Sequence, residues 1–145
     1  MKIAIGADHA GFRLKEHLHL YLENHGYTVE DLGTDSEEST DYPDYAARVA
    51  RAVAAGDADR GLLVCGTGIG MAIAANKISG VRAANCFDPD TCRLARAHND
   101  ANVLTLPGRL ISAARAEDIL RVFLDTPFDS GDRHSRRVAK IAALD

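Results

Sequence analysis

Apolar residues recur along the chain in runs of strand length, at Lys2–Ala7, Tyr27–Leu32, Gly61–Cys65, Val81–Cys86 and Asn102–Leu106, and a segment with helical features separates each run from the next. In the first such segment Leu14, Leu18, Tyr21 and Leu22 fall on one helical face, and Asn24-His25-Gly26 supplies a stop. Further helices are predicted over Pro43–Ala55 with Asp41 near its start, over Met71–Lys77, over Asp88–Ala97 opened by Asp-Pro, over Ala113–Leu124 after Ser112, and over Ser135–Leu144. Strand–helix alternation with short connectors predicts an α/β fold, a parallel sheet covered on both faces, because right-handed crossovers place helices there. The longest irregular piece, Gly33–Tyr42, carries Asp35, Glu37, Glu38 and Asp41 and reads as a solvated loop.

Composition narrows the possibilities. A chain of 145 residues, 46% of them hydrophobic, fits one domain over residues 1–145. Seventeen Lys and Arg against twenty-one Asp and Glu give a net charge of −4, which disfavours nucleic acid as a partner. Four Phe, four Tyr and no Trp leave few platforms for stacking bases. No run approaches the roughly 20 apolar residues that cross a bilayer, so no membrane association is expected. Cys65, Cys86 and Cys92 are odd in number and not spaced as pairs, which predicts reduced thiols and a cytoplasmic location.

In open parallel sheets ligands bind beyond the carboxyl ends of the strands, which directs attention to the residues after each one. The first strand is followed by Asp8-His9-Ala10-Gly11, the third by Gly66-Thr67-Gly68-Ile69-Gly70 and the fifth by Gly108-Arg109, while the second offers nothing comparable. The glycine segment either turns backbone N–H groups toward an anion or makes a tight strand-to-helix turn. Met71 stands where a dinucleotide fingerprint needs glycine, and Lys77 lies too far on for a P-loop.

Cys65 ends an apolar run, where cysteine is commonly a packing residue, yet the adjoining N–H groups would favour its thiolate as nucleophile or base. Cys86 and Cys92 read as packing residues. His98 and Asn99 follow the fourth helix and either cap it or do acid–base work. Asp8 and His9 either cap the first helix or hold ligand hydroxyls. Arg133 and Arg137 share a helical face, and form either a solvated basic surface or a fork around phosphate. Asp8, His9, Cys65 and His98 have no ligand pair with diagnostic metal spacing, so no metal is expected.

Taken together, Gly6-Ala7-Asp8-His9-Ala10-Gly11-Phe12, Thr40-Asp41-Tyr42-Pro43, Cys65-Gly66-Thr67-Gly68-Ile69-Gly70, Ala74-Ala75-Asn76-Lys77 and His98-Asn99-Asp100-Ala101-Asn102-Val103 resemble the signature of the ribose-5-phosphate isomerase B family and its sugar-phosphate isomerase relatives. The resemblance runs over essentially the whole chain, including Arg133-His134 to Arg137. It implies a metal-independent, cofactor-free aldose–ketose isomerase with a three-layer Rossmann-like fold and a five-stranded parallel sheet. It further implies a homodimer or tetramer with active sites between subunits, and a C-terminal helix over about 134–144 contributing phosphate-binding arginines.

By the same resemblance Cys65 takes the proton from the sugar carbon with help from Thr67, His98 opens the furanose ring and Asn99 contacts substrate. Asp8 and His9 would hold the sugar, Gly66, Thr67, Gly68, Ile69 and Gly70 the enediolate oxygens, and Arg109, Arg133 and Arg137 the phosphate, with His134 beside them. A second branch of the family uses a glutamate base where this chain has Met71, which cannot accept a proton; Cys65 with Met71 implies the cysteine branch. The expected reaction interconverts ribose 5-phosphate and ribulose 5-phosphate through a cis-enediolate. Alternatives are the same isomerisation of allose 6-phosphate, galactose 6-phosphate or a tetrose 4-phosphate, a nucleotide-binding module indifferent to Cys65, and a chelator-sensitive hydrolase built on Asp8, His9 and His98.

Overall fold

In the computed structural model, which describes residues 1–145, strands β1 (Lys2–Ala7), β2 (Thr28–Asp31), β3 (Arg60–Cys65), β4 (Ala83–Asn85) and β5 (Val103–Pro107) alternate with helices. These are α1 (Phe12–Asn24), α2 (Tyr42–Ala54), α3 (Ile69–Ala75), α4 (Pro89–Asn99) and α5 (Ala113–Asp125), and the chain closes with α6 (Asp132–Ala142). All strand pairs are parallel, in the order β2-β1-β3-β5-β4. The chain moves outward from β1 to β2 and then crosses to the other side of β1 for β3. That reversal leaves a crevice between the carboxyl ends of β1 and β3, the place where sheets of this kind receive ligands.

Side chains alternate across the sheet and divide the apolar residues between two cores. Ile3, Ile5, Leu62, Val64, Leu104 and Leu106 pack with Leu14, Leu18, Ile119 and Phe123 from α1 and α5. Ala4, Leu63, Cys65 and Val103 pack with Val49, Val53, Met71 and Ala75 from α2 and α3. Three layers result, helices on both faces of one sheet, as the sequence pattern predicts. The alternation also aims Cys65 toward α3, with Met71 fully buried beneath it.

Central strands match the apolar runs to within one residue, whereas the two edge strands are shorter than predicted. β4 starts at Ala83 and not at Val81, because Arg82 turns its backbone N–H to the Asn102 side chain at 2.8 Å. At the sheet's centre, Gly11 allows α1 to lie against β3: a Cβ there would stand 2.2 Å from the Val64 carbonyl oxygen. Asp88 and Ser112 cap α4 and α5, accepting the N–H groups of Thr91 at 2.8 Å and Arg115 at 3.1 Å. α4 runs further than expected, so His98 and Asn99 belong to its last turn, closed by Asp100 at φ 49°. α6 begins at Asp132, three residues earlier than the pattern suggests, and exposes most of its surface.

Candidate active site

The crevice between β1 and β3 contains a cavity of about 510 Å³, lined by Asp8, His9, Cys65, Gly66, Thr67, Ile69, Gly70, Arg109 and also Ala10, Tyr42 and Ile73. Its floor is built by backbone. β3 ends at Cys65, whose sulfur accepts the Gly68 N–H at 3.1 Å. Gly68 reaches that position with φ 76°, in the left-handed region that glycine enters without a Cβ penalty. Thr67 steadies the following turn by accepting the Ile69 N–H on its hydroxyl at 3.2 Å. α3 has only seven residues, so the sulfur is served by one aimed N–H and not by the field of a long helix.

Asp8, 5% exposed, accepts the N–H groups of Ala10 and Gly11 on Oδ1 at 3.0 and 3.1 Å and thereby organises the start of α1. His9 stands at the cavity wall, its Nδ1 accepting the Thr40 N–H at 3.2 Å. The proton of the neutral ring therefore sits on Nε2. The loop predicted to be merely solvated thus fixes a site histidine; it also supplies Glu37, which pairs with Arg13 at a neighbouring cavity of about 330 Å³ shared with His9 and Arg109. Arg109 follows β5, with its guanidinium near Gly66. Two backbone bonds, Gly108 N–H to the Cys65 carbonyl at 2.8 Å and Arg109 N–H to that of Gly66 at 3.2 Å, lock this corner to the glycine loop.

His98, Asn99, Arg133, His134 and Arg137 gather elsewhere. Helices of a parallel sheet run against the strands, so the end of α4 lies at the amino end of β5. Gly61 is in register with Val103; Cys65 lies four residues further along β3, about 13 Å at 3.3 Å per residue. At this far end His98 and His134 stack with ring centroids 4.3 Å apart. Burial, aided by the positive charges of His98 and Arg133, holds His134 below its ordinary 6.5, with Asp129 opposing. Arg133 and Arg137 are exposed, and Asn99 borders a separate cavity of about 500 Å³ with Asn76, Arg82 and Ile141.

Cys86 and Cys92 are buried in the core on the other face of the sheet. Cys92 donates its thiol to the Ile119 carbonyl at 3.5 Å, and the proximity of the two sulfurs holds the Cys86 pKa below its ordinary value and that of Cys92 above it, with burial adding to the rise. Potential metal-ligand atoms of Glu16, His19 and Asp31 lie within 4.8 Å of one another. The ammonium of Lys15 already stands 2.6 Å from Asp31 and 3.0 Å from Glu16, bridging the two carboxylates. Tyr42, part of the motif Thr40-Asp41-Tyr42-Pro43 but given no role by the sequence, lines the main cavity, and a Cβ at Gly70 would fall 2.6 Å from its ring. Its signal was Pro43, which fixes where α2 starts and so where the preceding side chain sits.

The Ribose/Galactose Isomerase family matches residues 3–141 of this sequence. The chain belongs to that family. Ribose-5-phosphate isomerase B of Escherichia coli (strain K12) is 46% identical over 144 residues, covering 99% of this chain and 96% of its own. D-erythrulose-4-phosphate isomerase of Pectobacterium atrosepticum is 44% identical over 132 residues, covering 90% of this chain and 87% of its own. Among solved structures, a ribose 5-phosphate isomerase of Thermotoga maritima superposes with a TM-score of 0.95 at 58% identity, covering 98% of this chain and 97% of that one. No helix of the chain is long and apolar enough to cross a membrane.

Proposed function

We propose that the chain interconverts ribose 5-phosphate and ribulose 5-phosphate, with Cys65 as the base that moves a proton between adjacent carbons. One observation carries the reading: the Cys65 sulfur at the wall of the crevice, accepting an N–H from the glycine loop. The thiolate removes the C2 proton of the open-chain aldose, the proton on O2 passes to O1 at the stage of the cis-enediolate, and the thiol returns its proton to C1. Negative charge developing on the enediolate oxygens meets backbone N–H groups of the segment 66–70 other than those of Gly68, given to the Cys65 sulfur, and Ile69, given to the Thr67 hydroxyl, and these donors are oriented before substrate arrives. Such donors are typically worth about 2.7–4 kcal/mol each. Asp8 and the Nε2–H of His9 hold sugar hydroxyls, Thr67 assists the proton transfer, and Arg109 reaches toward the phosphate.

Ribose 5-phosphate is cyclic at rest, and ring opening needs its own acid–base group. His98 supplies it, with Asn99 beside it and Arg133, Arg137 and His134 completing the phosphate cradle. About 13 Å of sheet separates these residues from Cys65 within one chain, so they come from a second copy, in a homodimer or larger assembly with sites between subunits. The 145 residues act as one isomerase domain in a cytoplasmic setting.

The test is an assay of the purified protein, with and without chelator, on ribose 5-phosphate, allose 6-phosphate, galactose 6-phosphate and erythrose 4-phosphate side by side. Highest kcat/KM on ribose 5-phosphate, unchanged by chelator, is expected. Preference for another of the four sugars, or loss with chelator, contradicts the assignment.

A further inference from the structure

Asn85 is a polar residue at the end of the short strand Ala83–Asn85, on a sheet face otherwise packed with Ala83, Leu63, Val103 and Met71. Its neighbour in register on β5 is Thr105, wholly buried and also polar. Strands are poor in asparagine, and an apolar core disfavours a buried threonine hydroxyl, so the pair needs a local reason. Thr105 donates its hydroxyl to Asn85 Oδ1 at 3.0 Å. With that oxygen engaged, the amide turns its Nδ2 toward the glycine loop, where it donates to the Thr67 carbonyl oxygen at 3.3 Å. Asn85 also fills the space a Cβ on Gly68 would need, with Oδ1 only 2.2 Å from it.

The carbonyl of Thr67 and the N–H of Gly68 are two ends of one peptide group. Because that group is planar and trans, holding the oxygen fixes the direction of the N–H. The same N–H is the one 3.1 Å from the Cys65 sulfur. Accepting a bond at its carbonyl also polarises the peptide and strengthens its N–H as a donor.

We propose that Asn85, oriented by Thr105, is a positioning residue that aims the Thr67–Gly68 peptide at the Cys65 sulfur. It rests on the isomerase reading only for its kinetic consequence; the geometry of the peptide is independent of substrate. The thiolate is favoured by a donor that faces it, so releasing the peptide shifts reactivity of Cys65 to higher pH.

The experiment compares wild type with Asn85→Ala, Thr105→Val and Thr105→Ser. Alkylation of Cys65 by iodoacetamide is followed against pH by mass spectrometry of its peptide, and kcat and KM for ribose 5-phosphate are measured on the same proteins. In Asn85→Ala and Thr105→Val the half-maximal pH of alkylation should rise by about half a unit, a fraction of the roughly one to two units that a whole hydrogen bond to a charged group is worth, because the N–H is loosened and not removed. Their kcat should fall about 3- to 10-fold with KM changing less than about twofold. Thr105→Ser, which keeps the hydroxyl, should restore both. Unchanged alkylation profiles in Asn85→Ala and Thr105→Val, or a Thr105→Ser protein indistinguishable from Thr105→Val, overturn the proposal. Should Asn85→Ala fail to fold by circular dichroism, the Thr105 pair decides alone. A wild-type protein inactive on ribose 5-phosphate would contradict the function assigned above while leaving the alkylation profiles to judge Asn85.

Discussion

The two ends of the sheet hold their polar residues in different ways. At the carboxyl end, the groups around Cys65 are fixed by main chain: the Gly68 N–H on sulfur, Asp8 on two amides, His9 on the Thr40 N–H, and the Gly108 and Arg109 amides tied back to β3. At the amino end, His98 and His134 hold each other by stacking, and Arg133 and Arg137 project from the largely exposed α6. The first arrangement suits a reaction whose charge must be met without reorganisation. The second leaves Arg133 and Arg137 with little of the molecule around them, which suits a surface completed by another copy. Neither end alone carries both a carbon base and a ring-opening acid.

The largest effect should come from the carboxyl end. Cys65→Ser keeps the hydrogen-bonding shape but substitutes a far weaker base, and kcat on ribose 5-phosphate should fall by about 10³-fold or more with thermal stability nearly unchanged. Turnover within tenfold of wild type would remove Cys65 from the chemistry. A smaller and more selective loss is expected at the other end. His98→Ala should lower kcat on ribose 5-phosphate by about 10²-fold, but far less on erythrose 4-phosphate, whose esterified fourth oxygen cannot close a furanose ring. Equal losses on both sugars would deny His98 a role in ring opening.

The smallest effect concerns stability. His134 titrates lower in the folded chain than its ordinary 6.5, chiefly through burial. The unfolded chain therefore takes up the proton first, and folding stability, full above about 6.5, declines as pH falls from there toward the lower folded value. Melting temperatures across that range should drop more steeply for wild type than for His134→Asn. Parallel curves would mean that His134 is not shielded as described.

Much of this was legible in the sequence, for physical reasons that differ by region. Central strands β1, β3 and β5 are buried on both faces, so their apolar runs mark them to within a residue. The edges β2 and β4 have a neighbour on one side only, and contacts such as Asn102 on Arg82 decide where pairing stops. Residues immediately after the central strands could be picked out because topology brings strand ends together; Asp8, His9, Gly66, Thr67 and Arg109 do share one cavity. Thr40 and Tyr42 stand in the motif Thr40-Asp41-Tyr42-Pro43 with no role attached, and Asn85 stands in none, because what each does arises from tertiary contacts. His98 stands in the last turn of α4, just before the start of β5, which in a parallel sheet puts it at the end opposite Cys65; only the family resemblance joined the two in one site.

Mixing two inactive variants tests the division between the ends most directly. Cys65→Ser and His98→Ala proteins are denatured together in equal amounts, refolded and assayed on ribose 5-phosphate. If each site takes its base from one copy and its ring-opening acid from the other, mixed dimers carry one intact site, and the mixture should recover about a quarter of wild-type activity. Activity no greater than the average of the two separate variants would contradict the account.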